Sequence, residues 1–160
     1  MIGLAFSLES PSPERTQDLG RRLGSLLGPG DLVALVGPLG AGKTCLAQGV
    51  LSGLGVAGPA PSPSFVLIRE HRGRLPAYHF DAFRLEGPQD LQDLGYEEYF
   101  YGPGVVLVEW ADRVAELLPP DHLWVELELL PERERARRVT FSARGPRSQR
   151  ILEELKRICW

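Results

Sequence analysis

The sequence has no asparagine, a single methionine, and only two cysteines, Cys45 and Cys159, in 160 residues. The cysteines stand far apart, without a CxxC pair or a Cys/His cluster at ligand spacing, so a zinc framework is not expected. Cys45 reads as a small buried residue. There is no run of 18 apolar residues, so no membrane span and no membrane partner is expected. Residues 1–10 lack a basic segment followed by an apolar stretch. No secretory signal is therefore expected, and the cytoplasm is the expected compartment. Hydrophobic residues make up 43 % and charged residues 24 %, which excludes a disordered chain. A domain of this length buries roughly 70 % of its unfolded surface and needs no metal or disulfide staple.

The net charge of −3 gives no reason to expect DNA as a partner. The distribution is uneven. Residues 1–130 hold 9 Lys+Arg against 17 Asp+Glu, whereas residues 131–160 hold 9 against 4. The basic segment is either a solvated face or a docking surface for an acidic partner or RNA.

The pattern of the chain predicts an α/β fold. Leu4 to Leu8 reads as a strand, and Ser12 as the cap of a helix with Pro13 in its first position. Leu19, Leu23, Leu26 and Leu27 share one face of that helix. Leu32 to Val36 is a continuous apolar run, as in a buried parallel strand. A helix is predicted from Lys43 to Leu54, then an irregular Gly/Pro loop from Gly55 to Pro63. Residues 65–71 and 75–83 predict a hairpin about Arg72-Gly73-Arg74, and residues 88–94 a short helix. Val105 to Val108 predicts a second buried strand. Leu123 to Leu129 and Arg137 to Phe141 alternate about Pro131-Glu132-Arg133 as a second hairpin. Ile151, Leu152, Leu155 and Ile158 mark a closing helix. Helices interleaved with buried strands and hairpins make the expected sheet mixed, in one domain spanning 1–160 with a basic hairpin strand and helix at about 131–160.

Gly37-Pro38-Leu39-Gly40-Ala41-Gly42-Lys43-Thr44 matches GxxxxGK[ST]. At this composition such a match arises by chance in roughly one sequence in 500, and here it also follows a buried strand and opens a helix. Glycines let the backbone wrap so that successive N–H groups, those of Leu39 and Ala41 included, face inward as an anion nest. The positive end of the following helix adds to the field. Lys43 suits the β- and γ-phosphates, and the Thr44 hydroxyl is a hard oxygen donor for Mg²⁺. Pro38 donates no N–H.

A carboxylate near the metal or the attacking water is the next requirement. Asp81 and Glu109 stand at predicted strand ends, Glu109 after Val105-Val106-Leu107-Val108. Ser62-Pro63-Ser64-Phe65 occupies the place of a γ-phosphate-sensing switch, and Ser64 offers a hydroxyl. His79 alternates with Asp81 and so shares its face, as a packed histidine or as a base. Trp110 is either core or a wall of the nucleotide pocket. With no asparagine, the NKxD motif that reads guanine cannot exist, so ATP is the expected nucleotide.

These residues, in order, resemble the TsaE (YjeE) family. The resemblance rests on Gly40-Ala41-Gly42-Lys43-Thr44, Ser62-Pro63-Ser64-Phe65, His79-Phe80-Asp81-Ala82-Phe83-Arg84-Leu85, Asp93-Leu94-Gly95 before Glu97-Glu98-Tyr99, and Val108-Glu109-Trp110. It spans about residues 4–142. It implies a P-loop fold with a mixed sheet of about seven strands, and slow hydrolysis of Mg²⁺-ATP. It also implies docking on the TsaB–TsaD pair that makes threonylcarbamoyladenosine in tRNA, with tRNA met through that complex. By resemblance Lys43 holds phosphates, Thr44 and Glu109 hold the metal, Asp81 positions water, and Ser64 belongs to the switch. The chain departs from the family pattern at Pro38, Cys45, Ser64, Phe83 and Ala111, without removing a group the chemistry requires. No motif marks the adenine contacts; the start of the first helix near Ser12, and Arg133 or Arg135, are candidates.

Two other readings fit the loop. A small-molecule kinase would need an acceptor pocket and an Arg-bearing lid, for which Arg84 and residues 87–94 are the only material. A nucleotide-dependent adaptor would bind ATP without significant turnover.

Overall fold

The computed structural model describes residues 4–57, 68–83 and 85–159. In chain order its strands are β1 (Ala5–Ser10), β2 (Leu32–Val36), β3 (Ile68–Arg72), β4 (Pro76–Asp81), β5 (Val105–Glu109), β6 (Leu123–Leu129) and β7 (Arg137–Ala143). The helices are α1 (Pro13–Leu26), α2 (Lys43–Gly53), α3 (Pro88–Asp93), α4 (Glu97–Phe100) and α5 (Pro146–Ile158), with a 3₁₀-helix at Ala111–Leu117. The strands form one seven-stranded sheet in the order β1-β7-β6-β2-β5-β4-β3. Strands β6, β2, β5 and β4 run parallel, and β1, β7 and β3 are antiparallel to their neighbours. The mixed sheet expected from the sequence is therefore present.

The continuous apolar run of β2 follows from its place between two parallel neighbours, with both faces covered. Val33 and Leu35 join Leu107 and Val125 under α1, α2 and α5. Leu32 and Ala34 join Val106, Val108, Phe80 and Phe100 on the opposite face, packed by α3, α4 and the 3₁₀-helix. The result is a three-layer domain.

Local chemistry sets the helix ends. Ser12 Oγ accepts the Arg15 N–H at 3.3 Å, with Pro13 in the first turn, so the predicted cap forms. Helix α5 begins at Pro146, ahead of its apolar stripe, because Asp121 caps it from another loop. The Asp121 carboxylate accepts the N–H groups of Arg147 at 2.7 Å and Ser148 at 3.0 Å. Burial alone would raise the Asp121 pKa; these bonds and the Ser148 hydroxyl outweigh it and hold the carboxyl below its ordinary value. Helix α4 and the 3₁₀-helix are too short to carry a period and were not legible as elements.

Helices α1 and α2 meet backbone to backbone. Gly20 and Gly24 on α1 face Gly49 and Gly53 on α2, at the same four-residue spacing. A Cβ added at Gly49 would lie 2.1 Å from the Gln17 carbonyl oxygen, and one at Gly20 would lie 2.3 Å from that of Leu46. No side chain fits there.

The basic segment is used largely within the chain. Arg133 and Arg138 pair with Glu9, Arg135 with Glu14, and Arg147 with Asp31. The pairs with Glu9 and Glu14 are exposed and contribute little stability, but they tie the β6–β7 hairpin to β1 and α1.

The helix contact yields a prediction. Alanine is the better helix former by about 1 kcal/mol, yet overpacking costs about 1–3 kcal/mol or more. With a backbone carbonyl in the way, Gly49→Ala is expected to lower unfolding free energy by about 2 kcal/mol or more in urea titration. Unchanged or higher stability would show that the helices separate without cost.

Candidate functional site

Parallel strands β2, β5 and β4 end side by side, and the register brings the sequence candidates together. Leu35 pairs with Glu109, and Glu109 with Asp81. The glycine-rich loop leaves the end of β2 and turns directly into α2, placing Lys43 and Thr44 above those strand ends. Gly40 (φ 81°) and Gly42 (φ 98°) adopt left-handed backbone that side chains resist. A Cβ at Gly37 would lie 2.5 Å from the Leu127 carbonyl oxygen. Arg137 braces the tip, donating from Nη2 to the Gly40 carbonyl at 3.0 Å.

Around the loop lies a cavity of about 460 Å³. Of the candidates, Leu39, Gly40, Gly42, Lys43, Thr44, Asp81, Glu109 and Trp110 line it, joined by Cys45 and Phe83. Gly37 supports the loop from behind. Ala41 is buried, and its N–H donates to the Pro38 carbonyl at 3.1 Å, so that donor is spent inside the loop. Ser64 and the rest of Ser62–Phe65 lie outside the described residues, as does Arg84.

Glu109 is 4 % exposed and divides its carboxylate between two partners. Oε1 accepts the Thr44 hydroxyl at 3.0 Å, and Oε2 lies 2.6 Å from His79 Nε2. The Lys43 ammonium donates to the carbonyls of Gly37 at 2.6 Å and Pro38 at 2.8 Å. It stands 4.0 Å from the centroid of the Trp110 ring, a cation–π contact. Burial holds the Lys43 pKa below its ordinary value, opposed by the charges of Glu109, Asp112 and Asp81. Trp110 adopts φ 59°, the one positive φ of a non-glycine among the described residues, and its ring meets Phe83 at 4.8 Å. Asp81 Oδ1 accepts the Phe83 N–H at 2.9 Å, which turns Phe83 toward the cavity.

The chemistry available is that of an anion site with an adjacent hard-cation site. The loop and Lys43 can take phosphate oxygens. The Thr44 hydroxyl and the Glu109 carboxylate, 3.0 Å apart, could serve as oxygen donors to Mg²⁺, with the Asp81 carboxylate lining the same cavity. Among the described residues no group of three or more His, Cys, Asp or Glu forms a cage of the kind that tighter-held metals require.

The reading of Cys45 is corrected. It is half-buried at the cavity wall, because the first turn of α2 faces the opening rather than the core. Its thiol donates to the Pro13 carbonyl at 3.1 Å. That contact places the start of α1, with Arg135 on Glu14, beside the cavity. Phe83 and Arg137 were not among the site residues read from the sequence. The i,i+2 alternation of His79 with Asp81 and its place in the resemblance motif were the signals for His79, and they identified a face, not a partner.

The layered sheet and its glycine-rich loop at the strand ends define an α/β domain of P-loop type. The family model for "Threonylcarbamoyl adenosine biosynthesis protein TsaE" matches residues 10–139. The chain is 41 % identical over 147 residues to the tRNA threonylcarbamoyladenosine biosynthesis protein TsaE of Bacillus subtilis, covering 91 % of this chain and 90 % of that protein. It is also 41 % identical over 123 residues to the protein of the same name from Treponema pallidum, covering 77 % and 91 %. The crystal structure of Bacillus subtilis YdiB superposes with a TM-score of 0.83 at 35 % identity, covering 98 % of this chain and 97 % of that one. The chain belongs to the TsaE family. Among the described residues, no helix is long and apolar enough to cross a membrane.

Cys45 supplies the test of the cavity. Burial and the nearby Glu14 charge push its thiol pKa up, so thiolate is scarce at neutral pH. Alkylation by iodoacetamide is expected to be slower than for a free thiol at pH 7, to accelerate above the usual thiol range, and to slow when Mg²⁺-ATP is added. Alkylation at Cys45, located by peptide mass analysis, that ignores the nucleotide would show that this cavity is not a nucleotide site.

Proposed function

We propose that this protein is a Mg²⁺-dependent ATPase that supports threonylcarbamoyladenosine modification of tRNA by binding and cycling the TsaB–TsaD complex. The observation that carries the reading is the Thr44–Glu109 hydrogen bond beside Lys43, at the ends of parallel strands, in a chain of the TsaE family.

In this reading the loop N–H groups and Lys43 bind the phosphates, and Lys43 exchanges its loop carbonyls in part for phosphate oxygens. Thr44 and Glu109 hold Mg²⁺, which when bound supplies charge neutralisation for phosphoryl transfer. Asp81, on the strand beside Glu109, positions the attacking water. Trp110 and Phe83 form an apolar wall that limits water around the phosphates. Catalysis of this kind is mostly positioning and electrostatics, so an incomplete site is slow. Leu39 is 78 % exposed and Phe83 43 % exposed at the cavity rim, leaving room for groups from a docked partner to complete it.

The test is ATP hydrolysis by the purified protein, alone and with TsaB–TsaD. Hydrolysis is expected to be slow alone, to be stimulated by the pair, and to be lost in Lys43→Ala in both conditions. Wild-type-like turnover by Lys43→Ala would sink the site assignment. Turnover indifferent to the pair would remove the assigned partners while leaving the ATPase chemistry.

A further inference from the structure

His79 is buried to 1 % exposure, and its ring nitrogens have unequal fates. Nε2 lies 2.6 Å from Glu109 Oε2, while Nδ1 is buried with no hydrogen-bond partner. A buried polar atom without a partner costs about 1–3 kcal/mol, so an apolar side chain in this place would spare the fold that penalty. Apolar packing alone therefore does not explain a histidine here; its bond to the buried Glu109 carboxylate does. What the histidine adds is its one bond. A carboxylate oxygen only accepts, so Nε2 carries the hydrogen and donates it. The register neighbour across β3 is Arg69, so no second carboxylate faces the ring from that strand.

The consequence falls on Glu109. With Oε2 held by His79, rotation of the carboxylate is blocked, and Oε1 is the oxygen presented to Thr44 Oγ1. We infer that His79 is a positioning residue for the cation site: its Nε2–H locks Glu109 so that Oε1 and the Thr44 hydroxyl stand ready as a preset pair of oxygen donors. This rests on the proposed use of Thr44 and Glu109 for Mg²⁺. Partners that orient a ligating carboxylate typically change metal affinity about 10–100-fold when removed.

The side-chain amide of glutamine places its nitrogen close to the position of Nε2, whereas that of asparagine reaches only the position of Nδ1. Full-length wild type, His79→Gln and His79→Asn would each be loaded with a non-hydrolysable ATP analogue and titrated with Mn²⁺, followed by electron paramagnetic resonance. Nucleotide affinity in EDTA and thermal melting would be measured alongside. His79→Asn is expected to lose about 10–100-fold in Mn²⁺ affinity, with nucleotide affinity in EDTA unchanged, and His79→Gln to stay within a few-fold of wild type. Equal Mn²⁺ affinity in all three, or equal loss in both variants, would overturn the inference. A second measurement needs no variant: the imidazole ¹⁵N shifts of wild-type His79 should show Nε2 protonated, and an Nδ1-protonated tautomer would overturn it even if His79→Asn does not fold. Absence of any Mn²⁺ effect on nucleotide binding by wild type would instead remove the functional reading itself, before His79 is considered.

Discussion

The buried carboxylate of Glu109 is the constraint around which this site is arranged. A charge at the end of an apolar strand is tolerated only when its lone pairs are satisfied. Its two partners come from different parts of the chain. Thr44 arrives on the first turn of α2 and His79 on β4, and both must be in place for the end of β5 to be buried. The same bonds that offset the desolvation of Glu109 therefore align the loop helix with two strands. Stability and site geometry are one requirement here rather than two.

The position of α2 has its own support. Helix α1 lies against it with glycines facing carbonyls, close enough that no side chain can intervene. Such packing leaves little freedom for α2 to slide. Arg137 on the Gly40 carbonyl and Lys43 on the Gly37 and Pro38 carbonyls hold the loop that precedes the helix. The loop is thus fixed from the hairpin side, from within, and through the helix it starts. Preorganisation of this kind lowers the ordering cost when an anion is bound.

The left-handed backbone of Trp110 belongs to the same construction. It follows Glu109 directly and turns the ring beneath the Lys43 ammonium and against Phe83. A non-glycine residue in this region carries a cost of roughly 1–2 kcal/mol. The ring contacts with Lys43 and Phe83 are what the turn secures in exchange.

Much of this was written locally. The glycine loop, the cap at Ser12, the two-faced burial of Leu32–Val36 and the alternation of Leu123–Leu129 each express a short-range rule, so residue identity alone determined them. Asp81 and Glu109 could be read as strand-end acids for the same reason. What only the tertiary structure decided were the pairings between elements. These are the register that sets Asp81 beside Glu109, the choice of Glu109 as partner for His79, and the glycine contact between α1 and α2. They also include the exposure of Cys45 at a cavity wall, and the spending of most hairpin arginines on acids of β1 and α1. No local pattern carries these, because a hydrogen bond or a close contact depends on where a second segment lies, and that is settled by strand order and helix packing over the whole sheet.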